Sequence, residues 1–243
     1  MTHNKSVVII TPTTGSEELK QCINSVWAQT YPNIKHLVVV DGPEYFSEIE
    51  NLSLYKIIET IRLPENVGAN GWYGHRVYAA MPYLVNEDIV MFLDQDNWLE
   101  PNHVETMVDV IEQGYDWAYS LRKINTKEGR FCCDDNCENL GHWPSFQGNY
   151  HIDTSCFAIP REILVRGICG AWYGKWGADR QFFNILKQHY PNFGCSNQYS
   201  LNYRLSGNSN SPTSAFFDSG NRVMTQSQLS YVYPWRNKRN PNV

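Results

Sequence analysis

Short apolar runs and amphipathic stretches alternate along the first half of the chain. Residues 7–10 and 89–93 are continuous apolar runs, which favour strands buried on both faces. In residues 17–29 the apolar side chains recur every three or four positions, so this stretch predicts a helix with one buried face. The same patterns predict further strands at 36–40, 55–62, 117–122 and 153–159, and further helices at 73–84, 101–113, 161–166 and 179–189.

Strands that alternate with helices predict βαβ units, and therefore an α/β fold with a mostly parallel central sheet and helices on both faces. In such sheets ligands bind in a crevice outside the carboxyl ends of the strands. Four polar residues follow predicted strands closely: Thr11, Asp41, Asp94 and Asp96. The pattern therefore predicts a ligand site at this edge of the sheet.

The second half of the chain has weaker periodicity. Residues 124–150 are rich in Gly, Asn, Asp and Cys and have no period, which predicts a long functional loop. The last forty or so residues predict a mobile tail with a basic cluster at 236–239. Because 243 residues suit one core, and neither a repeat nor a linker is visible, we expect residues 1–243 to form a single domain.

Composition narrows the class of protein. The 25 acidic residues outnumber the 20 basic ones, and a net charge of −5 argues against a protein that coats nucleic acid. The apolar runs are far shorter than the roughly 20 residues of a membrane helix, so no transmembrane segment is expected. A strand-like run within six residues of the N-terminus leaves no room for a secretory signal, which favours a cytoplasmic location. The basic cluster at 236–239 leaves contact with a membrane surface open.

The seven cysteines are odd in number, and we expect them to be reduced thiols in that compartment. Cys132, Cys133, Cys137 and His142 lie within eleven residues and form an alternative zinc-binding set. Adjacent cysteines and the missing C-x₂-C pair argue against such a site.

Asp94-Gln95-Asp96 is the strongest candidate for metal chemistry. Two carboxylates separated by one residue at a strand end point in the same direction and offer hard oxygen ligands. Mg²⁺ or Mn²⁺ is usually held in this way at nucleotide sites, with diphosphate oxygens completing the shell. The alternative is a solvated turn with an Asp cap, but the preceding apolar run, 90–93, favours the metal site.

With this motif and several others, the chain resembles the GT-A type nucleotide-sugar glycosyltransferases, and most closely their large inverting family 2. The similar segments, in chain order, are 7–13, S-V-W-A-Q-T-Y-P-N at 25–33, V-V-V-D-G at 38–42, N-V-G at 66–68, D-Q-D at 94–96, W-G-A-D at 176–179 and N-Y-R at 202–204. Together they cover roughly residues 6 to 210. The resemblance implies one GT-A (Rossmann-like) domain with a nucleotide-sugar and metal half at about 1–97. The acceptor half, at about 98–243, forms a C-terminal extension.

The resemblance implies a donor site for a nucleoside-diphosphate sugar, with a UDP-sugar favoured. Its donor-binding residues are Thr11, Pro12, Thr13, Asp41, Gly68, Arg76 and Asp94. Asp41 would accept a hydrogen bond from the base, although an Asx-turn before Gly42 is the alternative. Gly68 would let the backbone approach the nucleotide. Arg76 would contact the base or diphosphate, or would be a surface arginine.

For the metal, the resemblance implies that Asp96 ligates Mn²⁺ or Mg²⁺ and that Asp94 assists or binds ribose. Family members often carry a histidine soon after the late Tyr-Arg pair, whereas Ser206 stands near that position here. His151, Asp153 or water are the alternatives for the remaining ligand.

Asp179 is the implied general base, since inverting transfer needs a carboxylate to take the proton of the acceptor hydroxyl. Its alternative role is to cap the helix that follows. Ala178 stands where the family usually has Glu, which alters the acceptor contacts. Trp172, Tyr173 and Trp176 would offer faces to an acceptor sugar, or would be core residues.

These residues favour a metal-dependent inverting glycosyltransferase that moves one sugar to a hydroxyl of a glycan or glycolipid. The Q-x-x-R-W signature of processive members is absent, so we expect one transfer per encounter. A non-catalytic nucleotide-sugar or carbohydrate binding protein is the alternative from another class. A sugar-phosphate nucleotidyltransferase is a further alternative, but its Gly-rich, basic opening loop is not visible at 11–15.

Overall fold

The computed structural model describes residues 5–50, 58–138, 151–207 and 211–227. Its strands are β1 (Val7–Thr13), β2 (Ile34–Val40), β3 (Glu59–Arg62), β4 (Ile89–Phe92), β5 (Trp98–Leu99), β6 (Trp117–Asn125), β7 (Phe131–Asp134), β8 (Phe157–Pro160) and β9 (Phe193–Arg204). Its α-helices are α1 (Leu19–Trp27), α2 (Phe46–Glu50), α3 (His75–Ala80), α4 (His103–Glu112), α5 (Arg161–Val165), α6 (Ala178–His189) and α7 (Ser214–Ser227).

The strands form one sheet in the order β3-β2-β1-β4-β8-β6-β9-β5. β7 lies outside this order and pairs with β6. β1 to β4 pair in parallel, β8 runs antiparallel to both β4 and β6, and β9 is parallel to β6. The predicted α/β fold with a mostly parallel sheet is therefore confirmed. At β1 the helices lie on both faces, because Thr11 faces Cys22 of α1 while Pro12 faces Gly74, just before α3.

Apolar runs explain why the central strands are buried. Residues 7–10 of β1 and all of β4 are buried, as expected for strands covered on both faces. Aromatic side chains extend the core under the second half of the sheet. Trp117 stacks on Phe193 with ring centroids 4.4 Å apart, and Trp172 stacks on Phe182 at 4.2 Å.

Five elements differ from the sequence expectations, and two of them, the short α2 and β5, lie where no element was predicted. β7 forms within the predicted loop at 124–150, where it pairs with β6 across a turn that contains Gly129 at φ +80°. β9 was not predicted, and α7 lies in the stretch expected to be a mobile tail. α7 packs because Phe217 and Met224 are buried on one face. Residues 139–150 and the basic cluster at 236–239 lie outside the described residues.

None of the helices in the described ranges is long and apolar enough to cross a membrane. All seven cysteines lie within those ranges and are free thiols.

Candidate active site at the strand ends

Three neighbouring parallel strands end at the candidate site. Thr13 ends β1, Asp41 directly follows β2, and Asp94 is the second residue after β4. The Asp41 N–H donates to the Thr13 carbonyl oxygen at 2.9 Å, which holds the ends of β1 and β2 together. Asp41 and Asp94 therefore lie at the predicted edge of the sheet, with Thr13 beside them.

Asp94 is half-buried, and two neighbours hold its side chain and its backbone. The Tyr78 hydroxyl donates to its Oδ1 at 2.7 Å, and its own N–H donates to Ser155 Oγ at 3.1 Å. Burial, followed by the nearby charges of Asp96 and Asp153, raises the pKa of Asp94 to about 7. Burial and the neighbouring acidic groups therefore both disfavour the ionised form of Asp94.

Asp96 has a similar electrostatic environment. Burial raises its pKa to about 6, with Asp153 adding to the effect and Arg204 opposing it. Arg204, of the N-Y-R segment, donates from Nε to the Asp96 carbonyl oxygen at 2.9 Å, and its N–H donates to Asn97 Oδ1 at 3.0 Å. Its guanidinium also lies 4.9 Å from the Trp98 ring centre. Arg204 thus holds the main chain of the Asp-Gln-Asp turn.

This donor set fits a hard divalent cation that is partly coordinated by its ligand. Two neighbouring carboxylates supply oxygens, and their pKa values are raised mainly by burial and secondly by nearby acidic groups. Within the described residues, no group of three or more His, Cys, Asp or Glu side chains is arranged to hold a metal ion. Asp153 accepts from Arg122 on Oδ2 and from the Ser155 N–H on Oδ1, which fixes its carboxylate.

The zinc alternative gains no support from the described residues. Cys137 is buried, and Cys132 and Cys133 lie on β7, where they belong to no group of three or more metal-binding side chains in the described ranges. His142 lies outside those ranges.

The N-V-G loop is fixed by Asp41. Its two carboxylate oxygens accept the N–H groups of Val67 and Gly68 at 2.7 and 2.8 Å. An added Cβ at Gly68 would lie 2.3 Å from the Tyr73 carbonyl oxygen and 2.6 Å from Asp41 Oδ2. Gly68 is therefore required for this close approach. The Asp41 carboxylate bonds to this loop and not to an Asx-turn at Gly42.

Arg76 belongs to the same loop. Its guanidinium carbon lies 3.7 Å from the Trp72 ring centre, and Nη1 donates to the Val67 carbonyl oxygen at 3.3 Å. Its Nε is buried without a partner among the described residues. Arg76 is therefore held against the donor-side loop and is not a free surface arginine.

The side chains at the end of β1 differ in whether they lie in the core or at the site. Thr11 is fully buried, and its hydroxyl lies 3.0 Å from His36 Nε2, so the predicted side-chain contact with a nucleotide is wrong for Thr11. Alternate residues of a strand point to opposite faces, which sends Thr11 towards α1 and Pro12 towards α3. Thr13 is bonded instead to Gln95, with its hydroxyl 2.6 Å from Gln95 Oε1.

Asp179 lies in the first turn of α6, and its Oδ1 accepts the Arg180 N–H at 2.8 Å. Its Oδ2 lies 3.8 Å from His151 Nε2. Asp179 is also among the carboxylates whose charge raises the pKa of Asp94, after burial and nearer acids. The proposed base and the Asp-Gln-Asp turn therefore share one electrostatic environment.

The three aromatic residues before α6 have different environments. Trp172 is fully buried, and its ring lies edge-on to Phe92 at 5.5 Å, so it is a core residue and the predicted acceptor contact is wrong. Tyr173 is 62% exposed and Trp176 is 84% exposed. The Tyr173 ring lies 4.9 Å from that of Trp72, which brings the two loops together.

Sequence reasoning gave no role to several residues that build the site. These are Tyr78, Gln95, Arg122, Ser155 and Arg204. Each acts through a pairing between separate parts of the chain, and only Gln95, in the D-Q-D motif, and Arg204, in the N-Y-R segment, carried a local signal.

A mostly parallel α/β sheet with acidic residues at the carboxyl ends of its strands defines a GT-A-like domain. Residues 6–164 match the model of the glycosyl transferase family 2, and the chain belongs to this family. It is 30% identical over 138 residues to Glycosyltransferase GlyA of Streptococcus pneumoniae serotype 4, a match that covers 51% of this chain and 18% of GlyA.

Solved structures of S. aureus TarS have the same fold. One TarS chain matches with a TM-score of 0.60 and 16% identity, over 96% of this chain and 41% of TarS. TarS 1–349 in complex with UDP-GlcNAc matches with a TM-score of 0.62 and 15% identity, over 96% of this chain and 69% of that one. TarS 1–349 in complex with UDP gives 0.60 and 14%, over 96% and 68%. The chain thus spans less than half the length of GlyA and of the longer TarS chain.

Proposed function

We propose that this chain transfers one sugar from a nucleoside-diphosphate sugar to a hydroxyl of a glycan or glycolipid acceptor, with inversion at the sugar carbon. The pair Asp94 and Asp96, crowded at the strand ends of a family 2 domain, carries this proposal. A UDP-sugar is the favoured donor, because TarS 1–349, which shares the fold, has been solved with UDP and with UDP-GlcNAc.

The donor would bind across the ends of β1, β2 and β4. Asp41 keeps acceptor capacity beyond its two backbone bonds, because each carboxylate oxygen has a second lone pair for a base N–H. The Arg76 guanidinium, held near Val67, is suited to the base or the diphosphate. Pro12 and Thr13 line the same edge, while Thr11 contributes through the core packing beneath them.

Asp96, assisted by Asp94, would hold Mn²⁺ or Mg²⁺ together with diphosphate oxygens of the donor. When bound, such an ion neutralises charge on the departing nucleoside diphosphate as a Lewis acid. The burial that raises the pKa of both carboxylates is consistent with this assignment, since a nearby cation would favour their ionised forms.

Asp179 would act as the general base. The acceptor oxygen attacks the sugar C1 while the bond from C1 to the diphosphate oxygen breaks, and the hydroxyl proton passes to the Asp179 carboxylate. A single displacement of this kind inverts C1. The Arg180 N–H, 2.8 Å from Oδ1, holds the Asp179 carboxylate in place at the start of α6.

The acceptor would contact the exposed aromatic residues before α6. Tyr173 and Trp176 offer ring faces that suit a sugar, whereas buried Trp172 supports them from below.

The proposal is tested by incubating the protein with a panel of UDP-, GDP- and dTDP-sugars and Mn²⁺ and measuring released nucleotide and sugar. We expect turnover of a UDP-sugar, its loss in Asp96→Ala, and wild-type turnover in Asp218→Ala, which removes an exposed carboxylate from α7. Asp179→Asn should lose transfer but keep donor binding. Donor affinity without any product would instead identify a non-catalytic binding protein, and no binding at millimolar donor would overturn the donor site.

A further inference from the structure

Arg122 of β6 is a buried cation surrounded by carboxylates. Its side chain is 2% exposed, and it donates from Nε to Asp135 at 2.8 Å and from Nη2 to Glu138 at 2.7 Å. Its Nη1 donates to Asp153. The Tyr203 ring centre lies 4.5 Å from the guanidinium carbon. One planar group therefore fixes three acidic side chains, two from 135–138 and the third at Asp153.

The first arm of this cluster leads to the Asp-Gln-Asp turn. Asp153, held by Arg122, accepts the Ser155 N–H on Oδ1 at 3.0 Å. The Ser155 hydroxyl oxygen accepts the Asp94 N–H at 3.1 Å and lies 3.3 Å from Asn97 Nδ2. Ser155 thus joins Arg122 and Asp153 to the Asp94 backbone and the Asn97 side chain, on the two sides of the turn.

The second arm leads to α6. Glu138 binds Arg122 with Oε2 and accepts from Arg180 Nη2 on Oε1 at 2.8 Å. Asp135 shapes this contact, because its Oδ1 accepts the Glu138 N–H at 2.9 Å. Arg180 directly follows Asp179, and its N–H donates to the Asp179 carboxylate.

We propose that Arg122 is a positioning residue for the transfer reaction, fixing Asp94 through Asp153 and Ser155, and Asp179 through Glu138 and Arg180. This inference rests on the proposed function. It adds a framework that joins the donor-side carboxylates to the base.

Physical considerations favour a positioning role over a purely stabilising one. Burying an ion cluster costs desolvation energy, and apolar residues of similar volume often give equal or greater stability. Arginine offers a rigid fork of five donors, whereas lysine is a point charge on a flexible stem. Arg122→Lys therefore keeps the charge but cannot hold all three carboxylates in this geometry.

Three variants separate the two arms, with Arg166→Lys as a matched control on an exposed arginine paired with Glu162. Arg180→Gln should lower kcat about tenfold and leave the Kd of UDP with Mn²⁺ within about twofold. Ser155→Ala should raise that Kd about tenfold. Arg122→Lys should lower kcat and raise the Kd, whereas Arg166→Lys should change neither quantity. Turnover is followed on the UDP-sugar that the wild type uses fastest, well below the Tm of each variant.

A double-mutant cycle tests whether Arg180 acts through Glu138. If it does, Glu138→Gln with Arg180→Gln should lose no more kcat than the worse single variant. Arg180→Lys should recover most of the lost activity, because it keeps a cation beside Glu138. A purely structural role would lower Tm and leave kcat, Kd and the cycle unchanged.

The outcomes separate this inference from the function on which it rests. A wild type without turnover on the sugar panel rejects the proposed function. An active wild type, with folded Arg122→Lys within about twofold of it in kcat and Kd, overturns the positioning role alone. If Arg122→Lys fails to fold by circular dichroism, the other two variants decide: wild-type behaviour of both overturns the inference.

Discussion

The Thr13 hydroxyl donates a hydrogen bond of 2.6 Å to Gln95 Oε1, joining the end of β1 to the turn that carries Asp94 and Asp96. The same Gln95 oxygen accepts the Thr14 N–H at 3.0 Å, and Gln95 Nε2 lies 3.3 Å from the Thr14 hydroxyl. Gln95, the middle residue of the Asp-Gln-Asp motif, therefore connects this turn to the end of β1 by hydrogen bonds.

We predict that Gln95→Ala weakens binding of UDP with Mn²⁺ about tenfold, as is typical when a residue supporting metal ligands is lost. The Thr13 hydroxyl and the Thr14 N–H lose their acceptor, so the free energy of unfolding should fall by about 1–2 kcal/mol. Titration calorimetry and urea unfolding measure the two effects. Gln113→Ala, at the exposed end of α4, is the matched control. Equal UDP affinities of the two variants would contradict the role of Gln95 in supporting the site.

Gly68→Ala tests the close approach in the N-V-G loop. Its Cβ would meet the Tyr73 carbonyl oxygen and the Asp41 carboxylate, both far inside contact distance. We expect a loss of about 1–3 kcal/mol in the free energy of unfolding, together with weaker UDP binding, because Asp41 must release the loop.

The control for this substitution is Gly170→Ala, where an added Cβ meets nothing within 4 Å. That variant should keep wild-type UDP affinity and stability to within about 1 kcal/mol. Unchanged UDP binding in Gly68→Ala, measured by the same calorimetry, would show that the loop tolerates a side chain.

The sequence predicted the parts of the fold and site that depend on local patterns. The apolar runs of β1 and β4 fix buried strands, and the polar residues that follow them, Asp94 among them, lie at the predicted edge of the sheet. Thr11 was misassigned because local spacing does not tell which face of a strand the neighbouring helix covers, and Thr11 faces Cys22 of α1.

The remaining features depend on contacts between distant residues. Arg122 meets Asp153 across 31 positions, and Arg204 meets Asp96 across 108, so no local spacing reveals either pair. β9 was missed for a similar reason. Its pairing with β6 and the stacking of Phe193 on Trp117 stabilise a strand that contains many polar residues.

Two buried histidines predict how stability depends on pH. Burial lowers the pKa of His36 to about 3 and that of His103 to about 4, and His103 Nδ1 lies 2.8 Å from Ser200 Oγ. Between pH 6.5 and 4 the unfolded chain binds protons on both while the folded chain does not. These groups therefore lower the free energy of unfolding as pH falls, by up to about 1.4 kcal/mol per pH unit for each histidine.

Urea unfolding at pH 7, 5.5 and 4.5 checks this sign by comparing wild type with His103→Gln. The raised pKa values of Asp94 and Asp96 act in the opposite direction, so the difference between the two proteins is the informative quantity. The variant should lose less stability on acidification than the wild type. His189→Gln, at the exposed end of α6, should follow the wild-type slope, and equal slopes for all three proteins would reject the prediction.

Trp172 and Trp176 should separate stability from acceptor binding. Trp172→Ala leaves a cavity beside Phe182 and Phe92 and should cost about 3–5 kcal/mol in the free energy of unfolding. Its Nε1 has no hydrogen-bond partner among the described residues, so Trp172→Phe should cost much less. Trp176→Ala removes a ring that is 84% exposed and should leave the Tm unchanged.

The functional half of this comparison uses an acceptor found by screening glycans with the donor that the wild type turns over. Trp176→Ala should raise the acceptor KM about tenfold, since one aromatic stacking face contributes about 0.5–1.5 kcal/mol beyond its buried area. The donor KM should not change. Trp172→Phe, assayed well below its Tm, should keep both KM values, because the tryptophan contacts core rings and not solvent. A raised acceptor KM in Trp172→Phe with a wild-type value in Trp176→Ala would reverse the two assignments and move the acceptor away from the exposed face before α6.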